Sequence, residues 1–437
     1  MAGGRRRILV IAEQANPDWV SVPLVGWSLA RALAKVADVH LVTHVRNHAA
    51  ILRAGLREDE DFTSIDSDAV AGPLWKLAER LRGGEGRGFT ILQAAGALSY
   101  PWFEHLVWRR LGARIRAGEW DIVHRITPLS PTASGALARR CAAAGVPFVI
   151  GPLNGGFPWP VAFAAERRQE REWLAPLRGL YRLMPGRGRM LRHTAAIIAG
   201  SHHVASEIPA PLRDRVVWLP ENAVDPARFT RHPHRPDGVL RACFIGRMVP
   251  YKGPDMLIEA AAPLIASGRM TLEMIGDGPL LPQLRAQAGA LGLDAGLTFH
   301  GWIAHDRVHE VAGGCDILAF PSIREFGGGV VLEAMAMGLA PVVVDYGGPG
   351  ELVTDATGWK IALTDRAGVT RDLGALLALL ADDRAAVAAR GAAARARVLQ
   401  HFTWERKAAQ VLLVHDWALG RTPRPDLFGP DDSEAAA

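Results

Sequence analysis

Cysteine is scarce in this chain: only Cys141, Cys243 and Cys315 occur, each in apolar surroundings and none in a C-x-x-C pair. That excludes a disulfide-built scaffold and the common zinc sites, and it suits a reducing compartment. No apolar run approaches the roughly 20 residues that span a bilayer. Met1 to Arg7 leads directly into the strand-like Ile8 to Ala12, so no secretory leader is read and a cytoplasmic address is expected. Repeats of solenoid period are lacking. No G-x-G-x-x-G follows the first strand with an acid about 20 residues on, which disfavours an NAD-dependent dehydrogenase. An obvious pairing of nucleophile and base is missing as well.

What is present is ordinary globular material in quantity. At 437 residues the chain is about twice a usual domain, so two separate cores are expected. Apolar, β-branched runs recur at residues 8–12, 39–43, 121–124, 147–151, 195–201 and 216–220. A second series follows at 242–246, 271–276, 297–301, 316–321 and 341–345, with amphipathic stretches between the runs. Such alternation predicts an α/β protein of two Rossmann-like, doubly wound domains. The first is placed at 1–230 and the second at 238–400, with the Pro-, Asn- and His-rich residues 221–237 as linker. In the second domain, Pro254 is read as the first helical residue, ahead of a stripe of Leu257, Ile258, Ala261, Leu264 and Ile265. A helix is predicted over 371–400 with Thr370 as its N-cap, and another over 402–420 that packs back on the first domain. The proline-bearing, acidic tail 421–437 reads as disordered.

The formal net charge of +5 is mild but unevenly placed. Residues 161–195 hold eight arginines against three glutamates, and residues 101–118 set Arg109, Arg110, Arg114 and Arg116 among Trp102, Phe103 and Trp108. Basic residues interleaved with aromatics suit an anionic membrane surface or nucleic acid. Solvated helix faces are the plainer reading, and nucleic acid is not an expected partner. Peripheral contact with the inner face of an anionic membrane stays open.

The richest segment is Glu325-Phe326-Gly327-Gly328-Gly329-Val330-Val331-Leu332-Glu333, which sets two carboxylates around a glycine turn that opens a helix ending at Gly338. A helix N-terminus presents unpaired amides and a positive dipole end, on which a diphosphate can rest. Each glutamate can accept hydrogen bonds from hydroxyls, Glu333 from a ribose and Glu325 from a sugar ring. Gly246, Arg247 and Lys252 close one strand and open the next helix, where two cations suit a diphosphate leaving group. Gly276-Asp277-Gly278-Pro279 is a second strand-to-helix turn, which by itself reads as structural.

Taken in order with Phe299-His300-Gly301 and Gly347 to Glu351, these motifs resemble the retaining glycosyltransferases of family 4, which have the GT-B fold, two Rossmann-like domains facing across a cleft. The resemblance is dense over residues 240–360. In the first half it rests on Pro220-Glu221-Asn222-Ala223-Val224-Asp225 and on Gly151-Pro152-Leu153-Asn154-Gly155-Gly156. It implies a metal-independent hexosyl transfer from a nucleotide-diphosphate sugar, UDP- or GDP-linked, with no further cofactor. The donor would meet Gly246, Arg247, Lys252, Gly276, Phe326, Gly327, Gly328, Gly329, Val330, Val331 and Glu333. Arg247, Lys252, Glu325 and His124 would serve catalysis, and Asn154, Gly155 and Gly156 an acceptor that is a sugar, a lipid-linked sugar or a small metabolite.

The sequence departs from that pattern in two places. The strand-end segment Val123-His124-Arg125-Ile126-Thr127 has isoleucine where many members carry histidine, and the usual glycine pair after the first strand is replaced by Glu13-Gln14-Ala15-Asn16-Pro17-Asp18-Trp19. Asp66-Ser67-Asp68 has the look of the metal-binding acidic motif of the other large transferase fold, but its surroundings offer no further oxygen ligands, so no metal is expected. Two other classes compete with a transferase: a sugar-nucleotide epimerase or hydrolase on the same plan, and a catalytically silent binding protein. Intact Arg247, Lys252, Glu325 and Glu333 speak against the silent one.

Overall fold

The computed structural model describes residues 5–81, 89–155, 157–170, 186–229 and 238–428, which divide into two compact units. Of these, the first unit holds the described residues up to 155, then 186–221 and 404–428, and the second holds 157–170, 222–229 and 238–403.

The first unit is built on seven strands: β1 Arg7–Ala12, β2 Asp38–His44, β3 Phe62–Ile65, β4 Ile122–Thr127, β5 Phe148–Leu153, β6 Ala196–Ala199 and β7 Val216–Trp218. Their order is β3-β2-β1-β4-β5-β6-β7, parallel throughout. The second unit carries β8 Leu240–Ile245, β9 Met270–Ile275, β10 Leu297–Gly301, β11 Ile317–Phe320, β12 Ala340–Val344 and β13 Trp359–Ile361, in the order β10-β9-β8-β11-β12-β13, again parallel. Central strands of this kind are covered on both faces, so β4 and β12 are buried at every position; β12 runs apolar without alternation, whereas β4 buries His124, Arg125 and Thr127 as well. Each sheet reverses its direction of winding once, between β1 and β4 in the first unit and between β8 and β11 in the second. Loops diverge at those two points, which leaves a crevice at the carboxyl ends of the strands.

All eleven predicted strands form, whereas β3 and β13 were not among them; Phe62–Ile65 contains Thr63 and Ser64 and Trp359–Ile361 contains Lys360, so neither gives an apolar run. Pro254–Ala266 is helical as expected, with Leu257, Ile258, Ala261, Leu264 and Ile265 buried. The predicted 371–400 helix is two helices, Arg366–Asp382 and Arg384–His401, capped by the carboxylates of Asp365 and Asp383. Thr370 is therefore mid-helix, where its hydroxyl donates to the Arg366 carbonyl at 2.8 Å.

Helix Trp404–Ala418 belongs to the first unit, where Ala408, Val411 and Val414 share a core with Leu29 and Leu33. The passage between units lies at residues 221–222, ahead of the expected linker centre. Val224 and Phe229 are buried within the second unit, and the Val224 amide donates to Phe402 O at 2.9 Å. Apolar side chains at those two positions draw the segment onto a core; residues 230–237 lie outside the described residues.

The tail also differs from expectation. Over residues 421–428 it lies on the first unit: Arg424 donates to Val216 O at 2.7 Å, Gln410 to Leu427 O at 3.1 Å, and the Phe428 ring meets Trp218 at 4.7 Å. Charge and proline count miss these two apolar anchors, and residues 429–437 lie outside the described residues. Truncation after Gly420 is therefore expected to cost about 1–3 kcal/mol, the burial of part of two large apolar side chains. Thermal unfolding checks it, and an unchanged midpoint would show that the tail contributes nothing.

Candidate active site

In the second unit, the loops leaving β8, β9 and β11 meet at the winding reversal. Gly246 and Gly276 end β8 and β9 with φ of 155° and 134°. A β-carbon on Gly276 would stand 2.0 Å from Gly246 O, so the two backbones touch and only glycine fits. The Met248 amide then donates to Asp277 O at 2.8 Å, tying the two loops together. Arg247 is exposed at this edge. Beyond it, Lys252 lies at the end of the 3-10 turn Pro250–Lys252.

From there the Lys252 ammonium donates to Glu325 Oε2 at 2.9 Å and sits 5.1 Å from the centre of the Phe320 ring at the end of β11. Burial is the largest single influence and pulls the pKa of this ammonium down, but the charge of Glu325, the nearby Tyr251 and the hydrogen bond to Glu325 together outweigh it and leave the value raised, so Lys252 is held as a cation. An ammonium has three protons, so one partner does not exhaust it.

Glu325 opens the turn that becomes helix Gly329–Met337. Gly328 caps that helix at φ 58°, and the first helical bond runs from the Val331 amide to Gly328 O at 2.9 Å, leaving the amides of Gly329 and Val330 ahead of it. Gly347 and Gly348 pack directly beneath, since a β-carbon on either would stand 2.3 Å from the carbonyl of Glu325 or Phe326. The side chain of Asn222 adjoins Gly329, at 3.3 Å from where its β-carbon would be. Arg324 is buried behind the turn, its guanidinium 4.9 Å from the Trp159 ring and 5.1 Å from Phe326. Gly246, Lys252, Glu325, Phe326, Gly327, Gly328, Gly329, Val330 and Val331 thus lie along the carboxyl edge of one sheet.

Glu333, one turn into the helix, accepts from His305 Nε2 at 2.7 Å. That hydrogen bond raises the imidazole pKa against the opposing effect of burial. His305, Asn222 and Arg324 were missed by sequence reasoning; each acts across a tertiary contact that no local spacing marks.

The first unit corrects one candidate. His124 is completely buried in β4, because a central strand hides both of its faces. Its Nε2–H donates to Gly151 O at 2.8 Å, so Nδ1 is a lone pair and accepts from His415 Nε2–H at 3.0 Å. Both nitrogens are engaged within the core, which makes His124 a structural residue. Asn154 is buried, its amide donating to Glu221, and Gly155 packs on Pro131. Gly156 lies outside the described residues. Asp66 accepts from the Asp68 amide at 2.9 Å at the start of helix Asp68–Leu81, so the acidic triplet opens a helix. Among the described residues, no three His, Cys, Asp or Glu side chains converge on a common point that could hold a metal ion.

The basic aromatic stretch is engaged internally. Arg110 pairs with Asp59 at 2.9 Å, Arg114 with Glu119, and Arg116 stacks on Trp108 at 5.3 Å. Of the arginine-rich residues 161–195, those at 171–185 lie outside the described residues. No helix among the described residues is long and apolar enough to cross a membrane.

Two parallel α/β units of this order define the GT-B fold of glycosyltransferases. Residues 228–390 match the family of glycosyl transferases group 1, so the second unit carries a domain of that group. Relatives named as sugar transferases agree. The chain is 27% identical over 245 residues to a 2-deoxystreptamine glucosyltransferase of Streptomyces kanamyceticus, covering 53% of this chain and 62% of that protein. It is 33% identical over 177 residues to a D-inositol 3-phosphate glycosyltransferase of Rhodococcus jostii, covering 39% and 38%. The match thus spans less than two thirds of either relative. Among solved structures, HepE of Anabaena in complex with UDP aligns over 93% of this chain and 99% of its own, at TM-score 0.57 and 15% identity, a likeness of fold.

Burial lowers the pKa of His124 to about 4 despite the hydrogen bond to Gly151. A depressed imidazole favours the folded state above the unfolded pKa of about 6.5, and that advantage is lost as pH falls toward 4. Stability should drop by roughly 3 kcal/mol across this window from His124 alone. Denaturant midpoints measured from pH 7 to 4.5 check this, and His124→Gln, which keeps a donor toward Gly151, should flatten the slope. An equally steep slope in that variant would show that His124 is not the residue responsible.

Proposed function

We propose that the protein transfers a hexosyl group from a nucleotide-diphosphate sugar to an acceptor hydroxyl, with retention of configuration and without a metal ion. The observation that carries this reading is the Lys252–Glu325 pair, a cation and a carboxylate 2.9 Å apart beside the amino end of helix Gly329–Met337. A leaving diphosphate needs positive charge, and the donor sugar needs hydroxyl acceptors close by; this juxtaposition offers both. Lys252 and Arg247 neutralise the diphosphate while the amides of Gly329 and Val330 receive its distal phosphate. Glu325 with Phe326 and Gly327 grips the sugar, and Glu333 accepts from the ribose. Gly246 and Gly276 let the backbone approach the nucleotide. With positions and charges supplied by the protein, the departing phosphate itself takes the acceptor proton, which is why no base is needed at the reacting carbon. The acceptor meets the loop of Asn154, Gly155 and Gly156; His124 has no part in the chemistry.

A UDP- or GDP-linked donor is favoured, and the complex of the similarly folded HepE with UDP supports the uridine choice. Calorimetric titration in EDTA with UDP, GDP, ADP and dTDP tests the donor site, and Arg247→Ala should abolish the binding found. Glu333→Ala should weaken nucleotide-sugar affinity, whereas Lys252→Ala should mainly lower turnover, by about 100-fold or more, the size of a lost transition-state charge contact. If no nucleotide binds without metal, the reading fails. Release of free sugar at the same rate with and without acceptors would point instead to a hydrolase. Peripheral membrane contact is tested by sedimentation with anionic liposomes at low salt, where an unbound protein removes it.

A further inference from the structure

We infer that His305 is a positioning residue that fixes the Glu333 carboxylate and thereby makes the donor site select a ribonucleotide over its 2′-deoxy counterpart. The inference rests on the reading above in which Glu333 accepts from the ribose.

A glutamate side chain has three rotatable bonds, and one that must accept from a small hydroxyl gains little unless its oxygens are already placed. Here they are placed from the far side. His305 Nε2 lies 2.7 Å from Glu333 Oε1, and the other ring nitrogen, Nδ1, lies 3.3 Å from Arg228 Nη2. A guanidinium can only donate, so its contact assigns the lone pair to Nδ1 and the proton to Nε2, the atom that faces Glu333. Arg228 is itself held at the end of the 3-10 turn Pro226–Arg228, which Asp225 caps by accepting from the Ala227 amide at 3.1 Å. The buried ring of Phe229 then meets the imidazole edge-on at 6.3 Å. The chain of contacts runs from a capped turn through Arg228 and His305 to one oxygen of Glu333. A carboxylate accepts at two oxygens and several lone pairs, so the bond to Oε1 leaves acceptor capacity for ribose hydroxyls.

A plain surface pair would look similar in distance but would not affect which sugar is bound. Discrimination between ribose and deoxyribose separates the two. The intact protein is titrated in EDTA with UDP and dUDP, GDP and dGDP, and ADP and dADP. The wild type is expected to prefer the ribonucleotide of the binding pair by about tenfold or more, the size of a charge-assisted hydrogen bond. His305→Ala should bring the ratio to about twofold or less with little change toward the deoxynucleotide. His305→Gln, whose amide donates from nearly the same point as Nε2, should restore the preference. Glu333→Ala should abolish it. A His305→Ala protein that keeps the wild-type ratio overturns the inference and leaves the donor assignment standing. A wild type that binds these nucleotides without preference, or binds none, overturns the assignment of Glu333 to the ribose and the inference with it.

Discussion

Parallel strands are joined almost always by right-handed crossovers, and that handedness decides where the loops of each sheet can leave a crevice. A sheet that grows one way from β8 and the other way from β11 must send the loops after those strands in opposite directions. Whatever follows β8 and β11 therefore borders a gap. Gly246, Arg247 and Lys252 follow the first, and Glu325 to Glu333 follow the second. The remaining features are adjustments to this arrangement: glycines where backbones touch, a helix start where amides are needed, and charges where a polyanion would rest.

Those charges balance one another before any ligand arrives. An isolated ammonium in a largely enclosed position would shed its proton, and an isolated carboxylate there would take one up. The charge of Glu325 and its hydrogen bond help hold Lys252 as a cation against its burial. At Glu333 the partner is His305, whose imidazole pKa the shared hydrogen bond raises. The buried interior of the first unit handles its polar groups by a different rule: His124 and His415 are neutral partners in a hydrogen bond, which is the cheaper arrangement when no ligand will come.

Much of this could be read from the chain. Strands buried on both faces announce themselves as β-branched, apolar runs, so eleven of the thirteen were visible, and the glycine turn before Val330 located the helix start. Edge strands that mix in polar residues, such as β13 with Lys360, offer no apolar run to detect. His124 misled because a histidine in a strand-end motif reads as functional until the strand is known to be central. His305 went unseen because its partner is 28 residues away on another element. The two-helix break at Asp383 was hidden in an alanine-rich stretch where one aspartate decides the cap. The unit boundary depended on where Val224 and Phe229 bury, which is a tertiary preference.

The interleaving of the two units along the chain has a temporal meaning. The first unit begins at β1 yet lacks Ala408, Val411, Val414 and His415 until the last helix exists. His124 waits for a partner that lies 291 residues downstream. On a ribosome, the second unit can have its whole sheet in hand while the first still exposes the groove that Trp404–Ala418 will fill. Vectorial synthesis thus completes the core of the second unit before that of the first, and a chain interrupted before Trp404 would leave the first unit, though begun earlier, the unfinished one.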